Sequence, residues 1–360
     1  MTYYVYCFSY ISEIIFVEYR LNIEIIEDNV PNSCHLPFPV LLVNQQNNSW
    51  LQFSQQYPNA SDNLLPERLV LFKKALGLSD FILRSALQAP DLLVELFNSE
   101  RLLTTKVPDY SVMLAEGIKE CSTEEQLHQY LRLFRLVEMV DIAVGDFLLA
   151  RTLDESLKRL SALADSLIIA ANNWLWVFCQ TKWGTPVDSA GEAQHLLVYG
   201  MGKLGGQELN FSSDIDLIFV YPEAGQTQGL RRSIDNQLFF TRLGQKLISA
   251  LNQQTADGFV YRVDMRLRPF GESGPLVLSF NAMENYYQDQ GRDWERYAML
   301  KARLIGEGKY HGQLSNMLRP FVYRRYIDFS VIDSLRRMKS AIAQEVRRKQ
   351  LNNNIKLGAG

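Results

Sequence analysis

Residues 200–220 read Gly-Met-Gly-Lys-Leu-Gly-Gly-Gln-Glu-Leu-Asn-Phe-Ser-Ser-Asp-Ile-Asp-Leu-Ile-Phe-Val. A glycine-rich turn follows a short apolar run, His195 to Tyr199, and leads into a second apolar run, Ile215 to Tyr221. Asp214 and Asp216 stand two apart at the start of that second run. In a strand, residues i and i+2 point to one face. Two adjacent carboxylates on such a face repel each other and are costly to desolvate. A divalent cation is the usual compensation, and hard oxygen ligands suit Mg2+ or Mn2+.

The same glycines admit a second reading. Gly200, Gly202 and Gly205 spell the dinucleotide fingerprint, and Glu223 stands where a ribose-binding acid would. The segment between the runs argues against it. A parallel crossover needs about a dozen residues or more. Gly206 to Ser213 is barely two turns long, and Asn210, Ser212 and Ser213 favour turns over helix interiors. A Walker P-loop fails as well, because Lys203 has neither the required glycine spacing before it nor Ser or Thr after it.

Outward from this stretch, residues 259–271 alternate apolar and polar: Phe-Val-Tyr-Arg-Val-Asp-Met-Arg-Leu-Arg-Pro-Phe-Gly. Period two predicts that Asp264, Arg266 and Arg268 share one strand face. Asp264 then completes a three-carboxylate set with Asp214 and Asp216, while Arg266 and Arg268 offer guanidinium forks to phosphate oxygens. The plain alternative is an Asp264–Arg266 pair at a sheet edge. Carboxylates, a divalent ion and a phosphate-facing glycine turn together point to phosphoryl or nucleotidyl transfer, which asks for no nucleophilic triad. None is visible.

The rest of the chain supplies a frame. At 360 residues there is room for roughly two or three domains. Apolar content of 47% and a charged fraction of 21% are ordinary for a soluble globular protein, and a net charge of −3 argues against a general nucleic-acid binder. The four cysteines, Cys7, Cys34, Cys121 and Cys179, are scattered, which suits a reducing, cytoplasmic setting and offers no zinc site. Met1 to Val17 is a poor signal peptide and too short for a membrane span, so no membrane association is expected. Residues 1–60 show no clear period. Helical patterning dominates from Pro66 to Trp183, with capping boxes expected at Ser122/Glu125 and Thr152/Glu155. Strand-like runs fall at 195–200, 215–221, 259–264 and 275–279, with a helix over 231–252 between the second and third. Helices follow from Asn281, then at 293–304, 310–326 and 330–350. The expected organisation is an atypical segment 1–62, a helical region 63–186, a small catalytic domain 187–285 and a helical region 286–360. The fold class is α+β.

Three longer motifs carry a family resemblance. They are Gly200–Gly206, Glu208–Asp216 and Val263-Asp-Met-Arg-Leu-Arg-Pro-Phe-Gly-Glu-Ser-Gly-Pro275, supported by Gln290-Gly-Arg-Asp-Trp-Glu-Arg-Tyr297 and Arg325-Tyr-Ile-Asp-Phe-Ser330. From about residue 65 onward the chain strongly resembles the bifunctional glutamine synthetase adenylyltransferase/adenylyl-removing enzymes. The Leu-Asn-Phe-Ser-Ser-Asp-Ile-Asp form resembles their N-terminal, adenylyl-removing half. The resemblance implies a polymerase-β-type nucleotidyltransferase domain. It implies that AMP is removed from a tyrosine of adenylylated glutamine synthetase by phosphorolysis, with phosphate entering and ADP leaving. It assigns metal binding by Mg2+ or Mn2+ to Asp214, Asp216 and Asp264. The phosphate-facing turn is assigned to Gly202, Lys203, Gly205, Gly206 and Ser213, and basic contacts near the phosphates to Arg266 and Arg268. Arg292, Arg296, Lys301 and Arg303 are weaker candidates, since a solvated helix face explains them equally well. A PII-type signalling protein is a further expected partner. The alternatives are ATP-dependent adenylylation of glutamine synthetase, and a catalytically silent fragment that binds glutamine synthetase or a PII-type protein. The chain stops inside a motif that the family continues, and residues 1–45 do not match the family's N-terminus, so a truncated product is expected.

Overall fold

The computed structural model describes residues 40–306 and 308–323, with isolated positions between 333 and 348. The segment 1–39, the motif at 325–330, the chain end and nearly all of the helix expected over 330–350 lie outside the described residues.

Helices come first. α1 (Val40–Gln56), α2 (Pro58–Asp62), α3 (Pro66–Leu78), α4 (Asp80–Gln88) and α5 (Pro90–Asn98) form one packed unit. Proline opens α2, α3 and α5, where its missing N–H has no intrahelical partner to lose. Ser79 ends α3 and caps α4, its hydroxyl accepting from the Phe81 N–H at 3.2 Å. At the centre, Phe72 meets Phe53 and Phe97 edge-on, with ring centroids 5.1 and 4.7 Å apart. The stretch read as lacking a period therefore contains a 17-residue helix whose Phe53 is fully buried. Most of α1 is Asn, Gln and Ser, so its apolar stripe is too thin to register as a period. Tertiary packing against α3 holds it.

A 3-10 turn, Glu100–Leu103, leads through an extended segment to α6 (Tyr110–Lys119), α7 (Glu124–Leu148) and α8 (Leu153–Trp183). The cap of α7 is Thr123 rather than Ser122: its hydroxyl accepts from the Gln126 N–H and the Gln126 side chain reciprocates. The cap of α8 is Thr152 with Glu155, as the spacing predicts. α8 runs on to Trp183 and stops at Gly184, whose φ of 81° suits glycine. By length and composition α8 could cross a membrane. Here its buried residues pack into the main core, and Asp165 on it pairs with Arg303.

Charge is buried where α7 and α8 meet. Asp141 accepts from Arg151 at 3.2 Å and from Arg159 at 3.0 Å. These guanidiniums also donate to the carbonyls of Leu102, Thr104 and Lys106. All three side chains are at most 1% exposed, so the extended segment is held by groups that have exchanged water for one another.

The sheet follows. β1 (Thr185–Pro186) pairs with a later strand, and β2 (Leu197–Gly200) leads into α9 (Gly202–Gly205), then β3 (Ile215–Tyr221). After β4 (Thr227–Gln228), the partner of β1, come α10 (Asn236–Asn252), β5 (Val263–Asp264) and β6 (Val277–Ser279). The described chain closes with α11 (Phe280–Asp289), α12 (Asp293–Met299), β7 (Arg303–Leu304) and α13 (His311–Val322). β3 is central. β2 lies antiparallel on one side with β7 beyond it; β5 and β6 run parallel along the other side, β5 at the start of β3 and β6 at its end. Antiparallel β2 and β3 exclude the parallel crossover of a dinucleotide fold.

β3 explains how the layers stack. Ile215, Leu217, Phe219 and Tyr221 enter one core with α6, α7, α8 and α10, while Ile218 and Val220 enter a second with α11 and α13. The alternation is the pleat. The helices after residue 110 and the sheet thus share a continuous hydrophobic core.

Replacing Asp141 by Ala should leave two buried guanidiniums without their anion. Breaking such a pair costs about 3–5 kcal/mol, to be read from urea unfolding at neutral pH. A loss below about 1 kcal/mol, the range of exposed pairs, would mean that water already serves this network.

Candidate active site

Three sequence-distant segments converge at the start of β3. Asp214 is the residue before the strand and Asp216 is its second. The parallel pairing with β5 sets Asp264 opposite Asp216 in register, and the Ile215 N–H donates to the Arg262 carbonyl at 2.9 Å. The glycine turn attaches to the same residue: the Met201 N–H donates to the Asp216 carbonyl at 2.9 Å. Gly202 has a φ of 55°, and a Cβ there would lie 3.2 Å from Asp216 Oδ2. A side chain would be strained and would crowd the carboxylate.

Arginines occupy two of the three carboxylates. Arg262 Nε lies 2.5 Å from Asp214 Oδ1, and its Nη2 donates to the Ser212 carbonyl at 3.1 Å. Arg266 donates from Nε and Nη2 to Asp264 Oδ2 at 2.8 and 2.5 Å. Its backbone N–H reaches Asp264 Oδ1 at 2.8 Å. The plain alternative weighed from sequence, an Asp264–Arg266 pair, is therefore present. Among the described residues, no group of three or more His, Cys, Asp or Glu side chains is drawn together as a ready metal cage. A cleft of about 370 Å³ opens here, lined by Asp214, Arg262, Asp264, Arg266, Arg268 and Glu272.

The shared-face expectation for Arg266 and Arg268 needs correction. β5 ends at Asp264, and residues 266–270 turn. The Asp264 carboxylate captures the Arg266 N–H two residues on, which competes with the ladder. Pro269 cannot donate to one. Arg268 folds inward and donates to the carbonyls of Met265, Glu272 and Gly274, holding the loop that carries Glu272.

The other expected residues are distributed as follows. The Ser213 hydroxyl turns back to Asn210 Oδ1. Lys203 is half-buried on α9 and forms no ion pair among the described residues. Gly205 is jammed: a Cβ would sit 1.9 Å from the Lys301 carbonyl oxygen. Gly206 meets nothing closer than 3.4 Å. Arg292 caps α12, and Arg296 donates to the Phe321 carbonyl and to Asp293. Lys301 pairs with Glu208 at 2.6 Å, and Arg303 lies on a strand rather than a helix. Arg262 is the functional candidate that sequence reading missed. It precedes Asp264 by two, so the same period-two rule that grouped Asp264 with later arginines would have found it.

Hydrogen bonding from Arg266 holds the Asp264 carboxyl below the usual carboxylate range, against a smaller opposing effect of burial. A depressed folded pKa stabilises the protein above the unfolded value, about 3.9, and this contribution vanishes as pH falls through the folded value. Arg266→Ala should therefore lower the thermal midpoint at pH 7, with the gap from wild type closing below about pH 4. A gap that persists or widens in acid would show that the pair adds nothing through Asp264 ionisation. Separately, Gly205→Ala must move backbone at Lys301, at a cost of about 1–3 kcal/mol or more in unfolding free energy. An unchanged midpoint in urea would show that the turn is not seated against residue 301.

Comparison with known proteins agrees with this arrangement. A family profile described as glutamate-ammonia ligase adenylyltransferase matches residues 69–317. The chain is 54% identical over 326 residues to the bifunctional glutamine synthetase adenylyltransferase/adenylyl-removing enzyme of Shewanella loihica, covering 90% of this chain and 34% of that protein. It is 55% identical over 324 residues to the Vibrio parahaemolyticus enzyme of the same name, covering 88% and 33%. The chain thus spans about a third of the length of these relatives. The match includes the glycine turn and all three aspartates, and the chain belongs to the glutamate-ammonia ligase adenylyltransferase family.

Proposed function

We propose that this chain removes AMP from an adenylylated tyrosine of glutamine synthetase by phosphorolysis, on a nucleotidyltransferase domain of the polymerase-β type. The observation that carries the reading is the register pairing of Asp216 with Asp264, with Gly202 against Asp216 and Asp214 two residues before it. The substrate comes from the relatives' names. The direction rests on the Leu209–Asp216 motif, which resembles the removing half.

The donor set fits a divalent ion in chemistry: three hard carboxylates on one sheet edge. Asp214, Asp216 and Asp264 would hold Mg2+ or Mn2+. Bound there, the ion would polarise phosphoryl oxygens and offset charge on the oxygen that departs. Arg262 and Arg266 neutralise two of these carboxylates in its absence. Their side chains are 56% and 71% exposed, so turning them from carboxylate to phosphate loses only what a solvated pair is worth, about 0–1 kcal/mol. That is the charge needed where a phosphate dianion approaches a phosphodiester that is already anionic. Lys203 and the glycine turn face the same place. In the reaction a phosphate oxygen bonds to the AMP phosphorus and the phosphorus–tyrosyl oxygen bond breaks. The phenolate takes a proton, leaving ADP and free tyrosine.

The decisive assay is phosphate-dependent ADP release from adenylylated glutamine synthetase with Mg2+ or Mn2+ present. Asp216→Asn should abolish release and shrink the rise in thermal midpoint that Mg2+ gives wild type, while the variant stays folded. Adenylyl-tyrosine made from ATP, with no ADP ever released from phosphate, would reverse the direction. Full turnover by Asp216→Asn would remove the carboxylates from the chemistry.

A further inference from the structure

One face of α8 carries polar side chains to the catalytic sheet. Ser161, Asp165, Asn172 and Trp176 are spaced by four, seven and four residues, the interval of a single helix face. Ser161 Oγ accepts from the Leu209 N–H at 3.1 Å. Asn172 donates to the Leu196 carbonyl at 3.0 Å and Trp176 to the Gln194 carbonyl at 2.9 Å. Asp165 acts through a second side chain: it pairs with Arg303 at 2.9 Å. Arg303 then donates to the carbonyls of Leu204 at 3.1 Å and Gly205 at 3.3 Å.

Those carbonyls end the single turn of α9, where intrahelical partners run out and a cation is favoured. The register of β7 on β2, Gly200 opposite Arg303, sets the guanidinium beneath the turn. Gly205 rests against the Lys301 carbonyl. The turn is thus gripped by residues 301–303, and the grip is anchored in a 31-residue helix. Side-chain exposures of 29% for Arg303 and 17% for Asp165 mark this as a held pair rather than a solvated one.

We propose that Arg303, oriented by Asp165, is a positioning residue for phosphate recognition: it locks the Gly202–Gly206 turn in the arrangement that sets it beside Asp216. Neither side chain touches the reacting groups. The proposal rests on the adenylyl-transfer reading, which makes that turn phosphate-facing.

The test uses the 360-residue chain with Arg303→Ala, Arg303→Lys and Asp165→Asn. Ser161→Ala serves as control, removing a bond from the same ridge but not from the turn carbonyls. Two readouts are taken: amide hydrogen exchange across 202–209, and the Kd for ADP with Mg2+. Arg303→Ala should speed exchange and weaken ADP binding about tenfold or more, the size expected from losing charge-assisted hydrogen bonds. Arg303→Lys should recover part of the affinity, since an ammonium can serve the carbonyls without the fork. Ser161→Ala should hold the wild-type Kd within about twofold. Asp165→Asn keeps the side-chain shape and carries the test if Arg303→Ala does not fold. Wild-type binding with Arg303→Ala or Asp165→Asn indifferent in both readouts overturns the positioning role alone. Equal weakening by Ser161→Ala overturns it too, by exposing a general loosening. A well-folded wild-type chain that binds no ADP refutes the adenylyl-transfer reading and the phosphate role with it.

Discussion

The structure depends on β3. It is bonded along both edges, antiparallel to β2 and parallel to β5 and β6. It is buried except at Asp216. Its pleat separates two cores. One holds the long helices and α10; the other holds α11 and α13. Hydrophobic burial on both faces leaves no freedom of register, because a slip of one residue would exchange the two apolar sets and carry Asp216 into the helical core. Carboxylates can sit on so buried a strand only at its solvated end, and that end is where Asp214 and Asp216 are found. The parallel partner then brings Asp264 alongside without further instruction.

Charge is used in two ways. Between α7 and α8, Asp141, Arg151 and Arg159 are sealed from solvent and satisfied by one another and by main-chain carbonyls. Such a group is costly to break and fixes an arrangement. At the start of β3, Arg262 and Arg266 meet aspartates in the open. Exposed pairs hold weakly and are screened by salt. A site that must exchange one set of charges for another requires the second kind, and the helical frame behind it tolerates the first.

How far this was legible from sequence differs segment by segment. The glycine turn, the Asp214–Asp216 spacing and the strand at 215–221 follow from local rules of pleat, turn chemistry and hydrophobic run. The structure bears them out closely. The α8 cap at Thr152 was equally plain, because a capping box is confined to four residues. The Ser122 cap was one residue off, since Ser122 and Thr123 both offer a hydroxyl and only helix geometry chooses between them. α1 was invisible because its Asn- and Gln-rich surface dilutes the apolar stripe that packs on α3.

The amino-acid sequence by itself determined the chemistry at hand: which carboxylates, arginines and glycines are present, and that they lie at strand ends and turns. Only the tertiary structure decided their partners. It ended β5 at Asp264, gave Arg266 back to that aspartate, turned Arg268 to three carbonyls and brought Arg262 to Asp214. It also joined Asp165 to Arg303 across 138 residues of chain. The reason is physical: pleat and capping are settled by neighbours a few residues away. Which guanidinium meets which carboxylate depends on the register of paired strands and the seating of a helix, and these are set by burial of the whole core.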